Sequence, residues 1–316
     1  MIALPSPALV NTPDRSDLAP IALFVYNRPE HTQKTLHALQ QNDLASRSDL
    51  FVFSDGARSE SDVASVRRVR RCVRAVKGFR SVTVIERNPN CGLSKSILSG
   101  VTQLCAEYGR LIALEDDVLT TTDFLTFMNL ALERYKDEPR VFSVSGFNFA
   151  LNADVAQRFP YDAFCFYRSS SLGWGTWNDR WQKTDWTVSD YHRFRVDKQQ
   201  QEKFRRGGDD LPRMLRLQMA GKLNSWAIRW AYAHCQNDAL ALLSLRPRVF
   251  HIGGDGSGTY TRRGALRQLP LTSESKSEFR FPDVLSPEPN FTNELQRLLR
   301  PSLLRKIVRS LRDQTT

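Results

Sequence analysis

The chain has 316 residues, 41% hydrophobic and 25% charged, with 16 glycines and 15 prolines, which excludes a collagen, a low-complexity polymer, a coiled-coil rod and a wholly disordered chain. At about 150 residues per domain the length allows two lobes or one large α/β domain. Lys and Arg number 45 against 34 Asp and Glu, a formal net charge of +11, so the surface favours anions such as nucleic acid, nucleotide phosphates or an acidic membrane face.

Residues 1–19, rich in Pro, Ser and Asp without periodicity, read as a disordered leader. From Pro20 the pattern alternates. Ile21 to Tyr26 is a short apolar run, Asn27 to Pro29 a turn and Glu30 to Asn42 a helical segment. Leu50 to Ser54 is a second strand, Asp62 to Val76 a basic helix, Ser81 to Glu86 a third strand, Leu93 to Tyr108 a helix, Leu111 to Leu114 a fourth strand and Asp123 to Tyr135 a helix. Such alternation predicts an α/β fold with a mostly parallel twisted sheet flanked by helices. All six tryptophans (174, 177, 181, 186, 226 and 230) fall in the later stretch. The organisation expected is a nucleotide-binding region over 20–150, an aromatic-rich acceptor and catalytic region over 151–270, a Pro/Ser/Glu linker over 271–292 and a basic amphipathic helix with tail over 293–316, kinked or restarted at Pro301. That helix would lie on an anionic leaflet, on the enzyme's own surface or on a dimer partner.

The five cysteines, Cys72, Cys91, Cys105, Cys165 and Cys235, are odd in number and form no CxxC pair, which suggests neither a disulfide framework nor a zinc site and fits a reducing compartment. The start has no positive n-region, and no run approaches the roughly 18 apolar residues of a membrane span. A cytoplasmic protein is expected, at most peripheral on the inner face of the plasma membrane.

Ligands of open parallel sheets bind beyond the carboxyl ends of the strands, and there this sequence is polar: Tyr26-Asn27-Arg28, Ser54-Asp55-Gly56, Asn88 to Leu93, and Glu115-Asp116-Asp117. Three consecutive carboxylates after a buried strand repel one another unless a cation compensates, and hard oxygens suit Mg²⁺ or Mn²⁺. The other reading is that these acids cap the next helix or face water.

The order of parts is similar to the nucleotide-binding half of GT-A glycosyltransferases, with an acidic triplet after the fourth strand in the EDD form of N-acetylglucosaminyltransferase I-like enzymes. The segments Phe24 to Pro29, Ser54-Asp55-Gly56, Asn90 to Ser94, Val144 to Phe147, Ser169 to Trp177 and Ser225 to Trp230 resemble a bacterial family-2-type glycosyltransferase group. The resemblance implies that Tyr26 and Arg28 border the nucleobase, that Asp55 contacts base or ribose, that Gly92, Leu93 and Ser94 belong to the nucleotide loop, that Asp116 lies near ribose and metal, that Asp117 ligates the cation and that Glu115 orients its neighbours. Gly92 alternatively supplies only a tight turn, and Arg28 a surface charge.

Of the six tryptophans, Trp174 in Gly173-Trp174-Gly175 is assigned to a sugar, with 174, 177 and 181 on one helical face and the others as scaffold. In Gly207-Gly208-Asp209-Asp210-Leu211 the acids either cap a helix or supply the base of an inverting transfer. The resemblance favours Asp210, with Asp209 as its competitor. Arg229, mid-helix in Ser225 to Trp230, requires an anionic partner, either a structural carboxylate or a phosphate. His251 opens a glycine-rich run and is the candidate third protein ligand to the cation, although the similar group commonly has Asn there. Arg262 and Arg263 would neutralise a diphosphate leaving group.

The resulting expectation is an inverting, metal-dependent transferase moving a sugar from a nucleoside-diphosphate sugar, with UDP-GlcNAc favoured, to a glycan or lipid-linked acceptor in bacterial surface polysaccharide synthesis. The rivals are a sugar nucleotidyltransferase, a pseudoenzyme that binds a sugar nucleotide without turnover, and a nucleic-acid-binding protein using the +11 charge; no nucleic-acid partner is expected on the transferase reading.

Overall fold

In the computed structural model, residues 9–10, 18–149, 151, 156–256, 268–272 and 275–300 are described. The apolar runs of the first half become β1 (Ile21–Val25), β2 (Asp49–Ser54), β3 (Ser81–Glu86) and β4 (Arg110–Glu115), followed by the short β5 (Val118–Thr120). Between and after them lie α1 (Pro29–Gln40), α2 (Val63–Ala75), α3 (Leu93–Tyr108) and α4 (Phe124–Arg134). The second half adds β6 (Val141–Ser145), β7 (Ala163–Phe166), β8 (Trp174–Trp177), β9 (Leu240–Ser244) and β10 (Val249–His251), with helices α5 (Leu211–Met219), α6 (Trp226–Gln236) and α7 (Pro289–Leu299).

Eight strands form one sheet in the order β3-β2-β1-β4-β8-β6-β9-β7. The first four are parallel, as is β6 with β9, while β8 runs antiparallel to both β4 and β6, and β7 antiparallel to β9. All five residues of β1 are buried, as expected for a strand covered on both faces. The expected α/β class and mostly parallel sheet are therefore what the chain adopts. The sheet runs through the boundary expected at residue 150, because β8 inserts between β4 and β6.

Three local expectations need correction. The leader is not wholly without structure, since Leu9–Val10 pairs antiparallel with Phe279–Arg280 and Leu18 and Ala19 are buried. The stretch expected to be a linker is packed: Phe279 and Phe281 are buried against Phe127, and the Tyr135 hydroxyl donates to the Pro282 carbonyl over 2.7 Å. Trp174 and Trp177 lie on a strand, not on a helical face. On a strand these two rings, three residues apart, fall on opposite faces and join different core clusters, and β8 fills the gap between β4 and β6. Of the expected C-terminal helix, α7 is described from Pro289 to Leu299; its basic continuation beyond residue 300 lies outside the described residues.

Candidate functional site

The acidic triplet sits where β4 ends and turns into β5. Glu115 is the last residue of β4, and Asp116 and Asp117 form the turn. This turn is anchored from α1: the Thr35 hydroxyl donates to the Asp116 carbonyl over 2.9 Å. Arg28, the residue before Pro29 of α1, turns back onto the triplet. Its guanidinium bonds Asp116 and, through Nη1, lies 2.8 Å from Asp117 Oδ2. The Tyr26 amide also donates to Asp116, over 3.3 Å. Arg28, expected beside a nucleobase, is thus the resident cation of the carboxylate pair.

His251 reaches the same carboxylate from far along the chain. Strand β10 pairs antiparallel with β5, placing His251 opposite Val118, and the Ile252 amide donates to the Asp117 carbonyl over 2.8 Å. His251 Nε2 then lies 3.2 Å from Asp117 Oδ2. Gln268 fixes the His251 backbone from both sides, accepting from its amide at 2.7 Å and donating to its carbonyl at 2.9 Å. The next turn brings the chain close against both groups: a Cβ on Gly253 would stand 2.2 Å from Asp117 Oδ2 and 2.9 Å from His251 Nε2. Beyond it, His31 of α1 contacts Asp255 at 3.2 Å.

Charge separates the three acids. Burial, reinforced by Asp117 and Asp116, pushes the Glu115 carboxyl up to about 8. Burial also raises Asp116, to about 6, against the pull of Arg28. Burial acts on Asp117 in the same direction, but the His251 hydrogen bond and the Arg28 charge outweigh it and hold its carboxyl below the usual range. Asp117 is therefore the most readily ionised of the three, as suits a metal ligand. Among the described residues no group of three or more His, Cys, Asp or Glu is arranged to hold a metal alone. Asp117 and His251 bring an oxygen and a nitrogen side by side, a donor pair that would suit Mn²⁺ or Mg²⁺.

Asp55 does different work from that expected. Its Oδ1 accepts from the amides of Gly56 (3.0 Å) and Cys91 (2.8 Å), and its Oδ2 from the Gly92 amide (2.8 Å) and the Asn90 side chain (3.0 Å). Four donors from its own chain occupy it, so it shapes the loop between β3 and α3. Gly56 is required in that loop, because a Cβ there would meet the Arg87 carbonyl oxygen at 2.8 Å and the Asn90 amide nitrogen at 2.9 Å. Gly92 adopts φ +77° ahead of α3 and Leu93 is exposed. Ser94 accepts from Arg229 Nη2 over 2.7 Å. The Tyr26 hydroxyl donates to Asp62 over 2.9 Å and accepts from the Arg58 amide over 3.0 Å.

Among the described residues Arg229 has no carboxylate partner. It donates to the Trp186 carbonyl at 3.0 Å, the Ser225 carbonyl at 3.3 Å and Ser94, and burial lowers its pKa. Of the two partners expected, the structural carboxylate is not found among the described residues. Trp174 is 1% exposed and packs on Trp226 (5.0 Å between ring centroids), Trp181 (5.8 Å) and Trp230 (6.3 Å). It offers no open face to a sugar and is core.

Asp210 does not cap α5 with its side chain. Instead Arg168 grips it at both oxygens, at 2.7 and 3.1 Å, while Asp209 lies 3.4 Å from Arg300. No hydrogen bond joins Asp210 to the Asp117 cluster among the described residues. Arg262 and Arg263 lie outside the described residues. Arg168 and Gly253 were not foreseen individually. Arg168 belongs to no local pattern, whereas Gly253 lies in the glycine run already marked for close backbone approach.

No family model matches the chain, and no curated protein matches it. Among solved structures, a mannosyltransferase from Pyrobaculum calidifontis, in complex with GDP-Man and Mn²⁺, is similar at 13% identity over 73% of this chain and 74% of that one, with a TM-score of 0.40. The apo form of mouse xyloside xylosyltransferase 1 is similar at 10% identity over 70% of this chain and 82% of that one, with a TM-score of 0.33.

Proposed function

We propose that this protein is a GT-A-like glycosyltransferase that moves a sugar, with inversion, from a nucleoside-diphosphate sugar to a hydroxyl of a glycan or lipid-linked acceptor. The observation that carries the reading is the meeting of Asp117 and His251 at 3.2 Å, close against the backbone of Gly253, where β4 ends. Asp117 and His251 would hold a Mn²⁺ or Mg²⁺ ion, which when bound would supply Lewis-acid stabilisation of the diphosphate leaving group. Arg28 balances the carboxylates and presents a cation next to that diphosphate. The loop from Asn90 to Ser94, shaped by Asp55 and braced by Arg229, lines the nucleotide.

Asp210 receives the proton of the acceptor hydroxyl as its oxygen bonds to the anomeric carbon, and the bond from that carbon to the diphosphate oxygen breaks. The diphosphate leaves with the bonding pair, and Arg262 and Arg263 offset its charge. Arg168 orients the Asp210 carboxylate through two parallel hydrogen bonds. A UDP-sugar donor with GlcNAc as the sugar, a role in bacterial surface polysaccharide assembly and a cytoplasmic site of action complete the proposal. No helix among the described residues is long and apolar enough to cross a membrane.

A thermal-shift screen of UDP-, GDP-, CMP- and dTDP-sugars with and without Mn²⁺ tests it, because ligand binding to the folded state raises apparent stability. The expected result is a Mn²⁺-dependent rise with one nucleotide class that Asp117→Asn abolishes. A rise that ignores both Mn²⁺ and Asp117→Asn would overturn the metal site.

A further inference from the structure

The steps β1 to β2 to β3 advance in one direction across the sheet, so right-handed crossovers place α1 and α2 side by side on the same face. Their outer surface holds a groove of about 790 Å³ lined by Lys34, His37, Arg68 and Arg71, with Leu36 and Cys72 between them. At 100° per residue Arg67, Arg68 and Arg71 lie opposite Val66, Val69 and Val73, which are buried. Some cations of this face are spoken for: Arg68 pairs with Glu30 at 2.5 Å and Arg74 with Glu86 at 2.6 Å. Lys34, Arg67, Arg71 and Lys77 are exposed and have no side-chain hydrogen bond or ion pair among the described residues.

We propose that the α1–α2 face docks on an anionic bilayer, with a lipid phosphate headgroup seated in the groove. Two adjacent helices present their unpaired cations as a broad layer, matched in extent and sign to a charged leaflet. Attraction here is chiefly electrostatic, since Val66, Val69 and Val73 of α2 point inward and no large apolar side chain stands out from this face. No Phe, Tyr or Trp lines the groove, so stacking on nucleic-acid bases has no platform there. Each such cation near an anionic leaflet raises partitioning about fivefold, and three together on the order of a hundredfold.

The test is co-sedimentation of the full chain with vesicles of phosphatidylcholine alone or mixed three to one with phosphatidylglycerol. Lys34→Gln/Arg67→Gln/Arg71→Gln is compared with Arg193→Gln/Arg195→Gln/Lys198→Gln, which removes equal charge from another exposed surface. The wild type and the second variant are expected to bind the mixed vesicles only, and the first variant on the order of a hundredfold more weakly. Equal losses in the two variants, no loss in the first, or no wild-type binding to mixed vesicles would overturn the proposal. So would a single-stranded oligonucleotide that binds as tightly as the vesicles and is lost in the same first variant, because the face would then be a nucleic-acid surface. None of these readouts depends on glycosyl transfer.

Discussion

Arg28 Nη1 lies 2.8 Å from Asp117 Oδ2 while the same guanidinium also holds Asp116. One cation thus neutralises two buried carboxylates that the chain makes adjacent. Removing one partner of a buried pair leaves an uncompensated charge, so Arg28→Ala is expected to destabilise the metal-free protein by about 3 kcal/mol. Mn²⁺ should restore more of the melting temperature in this variant than it adds to the wild type, because the ion supplies the missing charge. Melting curves with and without Mn²⁺ check both statements, and equal shifts would show that Arg28 and the cation do not share a site.

Glu115 sets a pH dependence of opposite sign to the usual carboxylate. Its folded-state carboxyl, pushed up to about 8, keeps a proton that the unfolded chain releases near 4.5. Between those values the native state binds more protons, so the contribution of Glu115 to stability falls as pH rises from 4.5 to 8. Glu115→Gln removes that fall. The variant should melt close to the wild type at pH 5 and above it by a margin that grows through pH 7 to pH 9. A margin independent of pH would place the titration elsewhere.

For the two neighbouring acids before α5, the geometry separates a gripped carboxylate from a loosely paired one. Asp210 is oriented by Arg168 at both oxygens, and Asp209 only approaches Arg300. Loss of a general base costs about 10² to 10⁴ in rate, so Asp210→Asn should lower kcat in that range with donor KM nearly unchanged, whereas Asp209→Asn should stay within a few-fold. The reverse pattern in steady-state kinetics would transfer the role to Asp209.

The sheet of the first half was legible because its apolar runs are short, its helices strongly amphipathic and its turns polar: β3 and α3 coincide with their predicted bounds. The carboxylate triplet was legible as a cluster for the same reason, a charged run after a buried strand. Other features depend on pairings that local pattern does not encode. The contact of His251 with Asp117 follows from the register of β10 on β5, and the grip of Arg168 on Asp210 joins distant segments. Asp55 misled because a polar strand end that binds ligand and one that binds its own loop read alike. At Trp174 no alternation marks the strand, because all four of its residues are buried, and the glycines beside it suggested an exposed ring.

That correction has a measurable consequence. A fully buried indole in a five-tryptophan cluster contributes packing, and truncating such a residue costs about 3 to 5 kcal/mol. Trp174→Ala is expected to lower urea stability by that amount, and Trp174→Phe, which keeps an aromatic ring in the core, to retain the nucleotide-dependent thermal shift. Loss of that shift in a stably folded Trp174→Phe would return the ring to the ligand site.

Gly253 offers the sharpest separation of site from scaffold. Its φ does not require glycine, and it is the absent side chain that matters: a Cβ would stand 2.2 Å from Asp117 Oδ2 and 2.9 Å from His251 Nε2. Alanine therefore forces the Asp117 carboxylate or the turn after β10 to move, while the eight-stranded sheet is untouched. Disturbing the positioning of a metal ligand costs about 10- to 100-fold in metal affinity. Gly253→Ala should weaken Mn²⁺ binding in that range by titration calorimetry, with a Mn²⁺-free melting temperature close to that of the wild type. Unchanged affinity would mean that the ion, where it binds, does not use Asp117 and His251.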